Sequence, residues 1–284
     1  MRVEPTLLIT PYPYISNEVT MIDPTAHISS TARIADDAEI GPNVTVGDHS
    51  VIGSGTKIMA NAVVGPWTTV GRNNTIHFGA VVGHDPQDFG YKGEESYAVI
   101  GDGNIIREYA TIHRGNREGT KTVIGDSNFL MVQSHVAHNC ELGNNVILAG
   151  GALLAGHVIM EDRTIISGNC VVHQFCRIGR YSMMRGLSRT SRDVPPFCIM
   201  DETHTVKSLN LVGLRRNGFD TKRVRALKNA FLILFRSGLN MQNALEQVEA
   251  ELEVTDDVRE LLDFIRNSKR GVCFGEGSPV ADFD

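Results

Sequence analysis

Aromatic side chains are scarce in this chain of 284 residues, at 6% of the sequence with a single Trp. The apolar share is nevertheless 42%, so the core that a chain of this length can bury must consist mainly of Ile, Val, Leu, Met and Ala. The five cysteines are odd in number and form no Cys-x-x-Cys pair. We therefore exclude a disulfide-stapled miniprotein and expect buried thiols in a reducing compartment.

Long apolar runs are also absent from the sequence. No window approaches the run of about 18 apolar residues that a membrane span requires. The opening stretch MRVEPTLLITPYPY has no apolar run of the length found in signal peptides. We therefore expect a soluble, cytoplasmic protein without a transmembrane segment.

Positive charge is in deficit overall, since the net charge is −6, and this argues against a nucleic-acid partner. The distribution is uneven. Residues 161–240 have a net charge of +8, whereas residues 1–160 and residues 241–284 each have −7. The basic middle segment predicts an anionic ligand or an acidic partner there, the alternative being a solvated Arg-rich surface.

A six-residue repeat dominates the first two thirds of the chain. Of the 28 positions reached by stepping six residues at a time from Ile22 to Met184, 25 are Ile, Val, Leu or Met. Neither the helical period of 3.6 nor the strand period of 2 produces this pattern. A chain that turns a corner every six residues does produce it, with about 18 residues per triangular coil and about 4.8 Å between coils. We predict an all-β parallel β-helix, a triangular prism of about nine coils, over residues 21–190.

The three exceptions to the repeat are Asp88, Glu94 and Glu118. They fall in two polar, Gly-bearing segments, 84–98 and 115–121, which we interpret as loops that leave the coil and serve function. Many repeats carry Gly directly after the apolar position, where we expect it to relieve the backbone near each corner. Small residues four positions after it are expected to fill the narrow interior.

The pattern changes after the repeat. Residues 191–219, which include the breaker VPPF, are predicted to form a connecting segment. Amphipathic patterns predict helices at about 220–236, 240–252 and 256–268, which together form a small C-terminal α-helical domain over residues 220–270. Residues 1–20 are interpreted as an N-terminal extension and residues 271–284 as a loosely ordered tail.

Four of the ten histidines fall within 39 residues. A coil of 18 residues places His138, Gly156 and Gln174 in one column, and the flanking histidines are His135, His157 and His173. Three interpretations are open: surface imidazoles without function, a metal site like that of the γ-class carbonic anhydrases, or general-base catalysis on a hydroxyl group.

The segments QSHVAHNC (133–140), LLAGHV (153–158), VVHQFCRIG (171–179) and LNLVGLRRNGF (209–219) resemble the UDP-N-acetylglucosamine O-acyltransferases, which open lipid A synthesis. QDFGYKGE (87–94) and IREYATIHRG (106–115) agree with that family. The resemblance implies a left-handed β-helix and a homotrimer with sites in the clefts between prisms. It also implies transfer of a 3-hydroxyacyl chain from acyl carrier protein to the 3-position of a UDP-amino sugar. No metal, cofactor or covalent intermediate is expected.

The same resemblance assigns roles to individual residues. His138 matches the general base, beside Asn139, and the backbone N–H of Gly156 matches the donor to the oxyanion. Gly186 matches the residue that closes the acyl groove and measures chain length. The positions that match substrate contacts are Gln87, Asp88, His135, His157 and Gln174 for the sugar and phosphates, His173 for the acyl donor, and Asn210 and Arg216 for phosphates.

Four positions depart from the family pattern, namely Gly90, Asn139, Val212 and Asn217. Asn139 stands where an Asp usually accompanies the catalytic His, and an amide has no charge to stabilise an imidazolium. These departures leave open a catalytically weak or inactive paralogue with altered nucleotide-sugar specificity. The clustered histidines leave open a metal-dependent β-helix enzyme like the γ-carbonic anhydrases.

Overall fold

The computed structural model describes residues 21–275. Its repeats form short parallel strands separated by turns. The strands are, in chain order, β1 (His27–Ile28), β2 (Arg33–Ile34), β3 (Glu39–Ile40), β4 (Thr45–Val46), β5 (Val51–Ile52), β6 (Lys57–Ile58), β7 (Val63–Val64), β8 (Thr68–Val70), β9 (Thr75–Ile76), β10 (Val81–His84), β11 (Tyr97–Ile100), β12 (Ile105–Ile106), β13 (Thr111–His113), β14 (Lys121–Ile124), β15 (Phe129–Leu130), β16 (His135–Val136), β17 (Glu141–Leu142), β18 (Ile147–Leu148), β19 (Leu153–Leu154), β20 (Ile159–Met160), β21 (Ile165–Ile166), β22 (Val171–Val172), β23 (Arg177–Ile178), β24 (Met183–Met184), β25 (Arg189–Thr190), β26 (Cys198–Asp201), β27 (Thr205–Leu209) and β28 (Phe274–Gly275).

These strands build three sheets, which are the faces of the prism. Face 1 has the order β1-β4-β7-β10-β13-β16-β19-β22-β25, and face 2 has the order β2-β5-β8-β11-β14-β17-β20-β23. Face 3 runs from β3 through every third strand to β24 and continues into β26, β27 and β28. Val136 pairs with Leu154 and Leu154 with Val172, which confirms the predicted coil of 18 residues. The corners are named by the faces they join.

The repeated apolar side chains point inward and form the core of the prism. Ile76, Leu130 and Val172 are all fully buried, as are most residues at the repeated position. The small residues four positions later are buried as well, for example Ala62 and Ala80. Both features were predicted, because a narrow triangular interior accepts one branched side chain per face and little else.

The glycines that follow the apolar position have a different role from the one predicted. Of those in the repeat, only Gly83 has a positive φ. A Cβ on Gly53 would lie 2.5 Å from the carbonyl oxygen of Gly71 in the next coil, so Gly is required there by the approach of the neighbouring backbone. The left-handed conformation falls two residues later, where Asn is frequent, as at Asn43 and Asn139.

The segment 191–219 has more structure than the connecting segment predicted there. Strand β26 extends face 3 by pairing in parallel with β24, then turns back into β27 as an antiparallel hairpin. A short helix, α1 (Leu211–Arg216), follows and was not predicted. A six-residue helix has too few turns to show an apolar period.

The three predicted helices are present as α2 (Thr221–Arg236), α3 (Met241–Glu251) and α4 (Asp256–Arg266). Residues 271–275, predicted to belong to a loose tail, include β28, which pairs with β27. The predicted extension at 1–20 and the rest of the tail, 276–284, lie outside the described residues. Within residues 21–275, no helix is both long and apolar enough to cross a membrane.

Candidate active site

Both excursions leave the prism at corner 1–2. Residues 85–96 connect β10 to β11, and residues 114–120 connect β13 to β14. In the following coils the same corner carries His138, Gly156 and Gln174, because these residues follow β16, β19 and β22. Loops and histidines together form an open cleft of about 540 Å³, lined by Gln87, Asp88, Phe89, Asn116, Arg117, His138, His157, Gln174 and Phe175.

A buried arginine holds the first loop in place. Arg114 is 3% exposed, and its Nη2 lies 2.7 Å from Asp85 Oδ1 and donates to the Tyr91 hydroxyl at 2.6 Å. Its guanidinium lies over the Trp67 ring, 5.3 Å from the centroid. The loop therefore has a fixed base although it projects from the solenoid.

The imidazole of His138 is oriented by the side chain of Asn139. Nδ1 of His138 lies 2.9 Å from Asn139 Oδ1, which also accepts the backbone N–H of Asn116 at 3.2 Å. A backbone N–H can only donate, so this second bond identifies the atom facing His138 as the amide oxygen. Nδ1 of His138 must then carry the proton, and Nε2 has a free lone pair, as a general base requires.

Gly156 lies directly against this imidazole, one coil further on. A Cβ at position 156 would be 2.6 Å from Cε1 and 2.8 Å from Nε2 of His138, so a side chain there would displace the ring. Within residues 21–275, nothing accepts a hydrogen bond from the Gly156 N–H. By contrast, corner 2–3 caps such groups, for example the Asp102 N–H with Asp126 Oδ1 at 2.7 Å.

The carboxylate of Asp88 is held at the mouth of the cleft. Its Oδ1 accepts the Gly90 N–H at 2.7 Å, and its Oδ2 accepts from Asn116 Nδ2 at 2.5 Å. These bonds, with the more distant Arg117 guanidinium, hold the pKa of Asp88 below its usual value, so the group is ionised at neutral pH. Asp88 is thus an acceptor for hydroxyl or amide donors.

The neighbouring histidines favour the neutral form. His157 lies between the His138 ring, 5.3 Å away between centroids, and the Phe175 ring, stacked at 4.6 Å. Nδ1 of His135 lies 2.6 Å from Thr111 Oγ1. Burial, with the nearby His138, lowers the pKa of both His135 and His157. Neutral imidazoles can donate and accept hydrogen bonds to a polar, uncharged ligand.

Comparisons with known proteins agree with this geometry. Residues 193–273 match the family model described as UDP-N-acetylglucosamine O-acyltransferase, domain 2, and residues 49–84 and 121–156 match a bacterial transferase hexapeptide model. The acyl-[acyl-carrier-protein]–UDP-N-acetylglucosamine O-acyltransferase of Halorhodospira halophila is 43% identical over 256 residues, 89% of this chain and 99% of that protein. Its counterpart in Syntrophobacter fumaroxidans is 42% identical over 254 residues, 88% and 98% of the two chains. The chain belongs to the UDP-N-acetylglucosamine O-acyltransferase family.

Solved structures give the same result. The UDP-N-acetylglucosamine acyltransferase of Francisella novicida has a TM-score of 0.85 at 34% identity, covering 93% of this chain and all of that one. The enzyme of Moraxella catarrhalis has a TM-score of 0.83 at 40% identity, covering 89% and 99%. The predicted left-handed parallel β-helix with a small helical C-terminal region is confirmed.

Of the residues that the family resemblance singled out, five line the cleft: Gln87, Asp88, His138, His157 and Gln174. His173 is exposed at the same corner, with Nδ1 3.2 Å from the Gln174 carbonyl oxygen, and His135 lies on face 1 in the coil of His138. Sequence reasoning did not single out Asn116 and Arg117, whose position over the cleft depends on a loop without a repeat.

Three of the family's predicted site residues lie elsewhere in the chain. Gly186 is at corner 3–1, between β24 and β25. Asn210 is buried and caps α1, since its Oδ1 accepts the Gly213 N–H at 3.0 Å and its Nδ2 donates to the Tyr181 carbonyl oxygen at 2.9 Å. Arg216 is exposed at the end of α1. Across residues 21–275, no group of three or more His, Cys, Asp or Glu side chains is arranged to bind a metal ion.

Proposed function

We propose that this chain transfers a 3-hydroxyacyl group from acyl carrier protein to the 3-hydroxyl of UDP-N-acetylglucosamine, the first step of lipid A biosynthesis. The observation that carries the proposal is the hydrogen-bonded pair His138–Asn139, which leaves Nε2 of an imidazole free in a cleft beside the Gly156 backbone. Both relatives compared above are named as enzymes of this activity.

The chemistry follows from these groups. Nε2 of His138 takes the proton of the sugar hydroxyl as its oxygen attacks the thioester carbonyl carbon. The Gly156 N–H donates to the oxyanion of the tetrahedral intermediate, a contact typically worth about 2.7–4 kcal/mol in the transition state. When the intermediate collapses, the C–S bond breaks and the imidazolium returns its proton to the leaving thiolate. Asn139 Oδ1 keeps the ring oriented throughout.

The remaining residues hold the two substrates. Ionised Asp88 accepts hydrogen bonds from the sugar, and Gln87, His135, His157 and Gln174 contact the sugar and its phosphates. His173 faces the acyl donor, and Arg216 serves phosphate groups, with Asn210 acting on them through α1. Because Asn210 is committed to the cap of α1, its contribution is to place that helix, whose exposed end carries Arg216.

The proposal includes a homotrimer. Exposed apolar residues lie on face 1 and at both its edges: Val132, Leu153, Val171, Phe175 and Leu187. An apolar surface of this kind favours a partner, and a second copy turned about a threefold axis would cover it. Gly186 lies three strands beyond His138 along face 1 and at the opposite edge, so it joins the site across a subunit boundary. Sedimentation equilibrium should give three times the 31.1 kDa of one chain.

Purified protein, assayed with 3-hydroxyacyl carrier protein and a panel of UDP-sugars, tests the function. UDP-N-acetylglucosamine should be acylated, and His138→Ala should lower kcat by about 10²–10⁴ while the protein stays folded. Wild-type activity in the variant would remove His138 from its role. Transfer to another UDP-amino sugar alone would instead indicate the altered specificity that Asn139 and Gly90 leave open.

A further inference from the structure

Asn116 connects the two halves of the cleft. It is 7% exposed, in the loop between β13 and β14. Its side-chain Nδ2 lies 2.5 Å from Asp88 Oδ2, in the other loop, and its backbone N–H lies 3.2 Å from Asn139 Oδ1, beside His138. A single residue therefore contacts both the carboxylate at the cleft mouth and the amide that orients the imidazole.

We propose that Asn116 is a positioning residue that fixes Asp88 relative to His138, and thereby sets the place of the acceptor sugar before the base. The inference rests on the proposed function. The backbone N–H of Asn116 holds this residue at the corner of the solenoid. Its side chain then holds the loop of Asp88 in place relative to that corner.

The chemistry at position 116 requires an amide. Asp88 is ionised, so it can only accept, and Asn116 must present its NH₂ group to it. Without that group, the one partner left to Asp88 Oδ2 within the described part of the chain would be the Arg117 guanidinium, 4.0 Å away and half exposed. An aspartate at 116 would have the same size, would be unable to donate, and would repel the carboxylate.

Steady-state kinetics of Asn116→Ala should separate positioning from general damage. Loss of a hydrogen bond to a charged group should raise KM for UDP-N-acetylglucosamine about tenfold. KM for acyl carrier protein should change less than twofold, and the pH profile of kcat should keep its shape, since the backbone bond to Asn139 survives. Asn116→Asp should raise the sugar KM at least as much.

A double-mutant cycle with Asp88→Ala identifies the route of the effect. If Asn116 acts through Asp88, adding Asn116→Ala to Asp88→Ala should change the sugar KM by less than twofold. Asn144→Ala is the matched control: Asn144 Oδ1 accepts the Asp126 N–H at 2.7 Å at corner 2–3, outside the cleft. This variant should lower Tm without raising either KM.

The outcomes are distinct. Equal rises in KM for both substrates, or a full effect of Asn116→Ala in the Asp88→Ala background, would overturn the inference. If wild-type protein transfers no acyl chain, the proposed function fails, and titration calorimetry with UDP-N-acetylglucosamine on the same variants decides the inference alone. Tenfold weaker binding in Asn116→Ala, absent from the Asp88→Ala background, would sustain it; equal or undetectable binding in all of them would refute it.

Discussion

Asn139 shows how an uncharged residue can orient the imidazole that we propose as the base. Its left-handed backbone, with φ of 60°, turns the side chain back toward the His138 ring, while its N–H donates to Thr122 Oγ1 at 2.8 Å. Orientation and tautomer selection need only a fixed oxygen, and the Asn116 N–H fixes it. An aspartate would add charge to this arrangement, which separates the orienting role of the residue from its electrostatic one.

Asn139→Asp should therefore raise kcat, because a carboxylate stabilises the imidazolium that forms in the transition state. A rise of about tenfold is expected, well below the 10⁴ between the corresponding Asn and Asp forms of a serine protease, since the amide here already selects the correct tautomer. The acidic limb of the kcat/KM profile should move to higher pH. If Asn139→Asp instead has lower activity and the acidic limb of its kcat/KM profile does not move, the site requires a neutral amide at position 139.

His113 makes stability depend on pH. It is buried in β13, and its Nδ1 has no hydrogen-bond partner among residues 21–275. Burial, reinforced by His135, lowers its pKa from 6.5 to about 4. Between about pH 6.5 and pH 4, the His113 imidazole is protonated in the unfolded chain but neutral in the folded protein. The unfolding free energy should therefore fall by up to about 3 kcal/mol as pH drops from about 6.5 to about 4, and stay constant above that window.

Chemical denaturation of wild type and His113→Gln between pH 4 and pH 8 measures this contribution. The unfolding free energy of wild type should fall relative to that of His113→Gln as pH drops from about 6.5 to about 4. Parallel curves over the whole range would show that the imidazole titrates normally in the folded protein.

Among elements, the junction between solenoid and helices depends on one buried carboxylate. Oδ1 of Asp193 accepts the Arg177 N–H at 2.8 Å, and its Oδ2 accepts from the Ser268 hydroxyl, just after α4, at 2.7 Å. Its backbone also bonds Gly271 and Cys273. The carboxylate therefore ties the end of the solenoid to Ser268 after α4, and the backbone of Asp193 ties it to the segment leading into β28.

Asp193→Ala should destabilise this junction by about 3 kcal/mol, because it removes two bonds to a buried charge and leaves the Arg177 N–H without an acceptor. Thermal unfolding should show a lower Tm, and limited proteolysis should cut first between residues 191 and 275. Ser268→Ala, which removes one of the two bonds, should have a smaller effect. Unchanged protease resistance in Asp193→Ala would show that the other contacts between the solenoid and the helices hold the junction without this carboxylate.

The sequence predicts those elements whose residues repeat. Every coil follows from the apolar position, and the breaks at Asp88, Glu94 and Glu118 locate both loops. The six-residue repeat does not predict the path of a loop outside the coil. The contact of Asn116 with Asp88 and the clamp of Arg114 on Asp85 depend on that path, and so did not emerge from residue spacing.

For the whole molecule, the basic segment is less available to a partner than its charge suggests. Arg177 pairs with Glu161 at 3.0 Å, Arg223 pairs with Asp257 at 2.7 Å, and Arg180 contacts Asp257 and Glu260. Arg215 and Arg216 are exposed at the C-terminal end of α1. The negative end of the helix dipole lies there, so the helix itself does not help these arginines to bind an anion. Arg180 thus holds α4 against the solenoid, whereas Arg223 joins α2 to α4 and Arg177 pairs within the solenoid.

The assembled trimer sets the length of the acyl chain in our proposal, with Gly186 as the limit of the groove. A Cβ there would lie 3.6 Å from the Gly168 carbonyl oxygen, an ordinary contact, so a side chain fits without moving the coil. Met184 is buried inside the prism, whereas Leu187 is 80% exposed at the same corner. The two residues whose side chains could enter the groove are therefore positions 186 and 187.

Gly186→Met should shift preference toward shorter donors while leaving the enzyme active. Each buried methylene contributes about 0.8 kcal/mol, so excluding four would cost roughly 3 kcal/mol, on the order of 100-fold in kcat/KM. The ratio of kcat/KM for fourteen-carbon and ten-carbon 3-hydroxyacyl donors measures the effect in wild type, Gly186→Met and Leu187→Ala. If the ratio changes in Leu187→Ala but not in Gly186→Met, Leu187 is the residue that limits chain length. If the ratio is the same in all three proteins, the limiting residue lies on another coil.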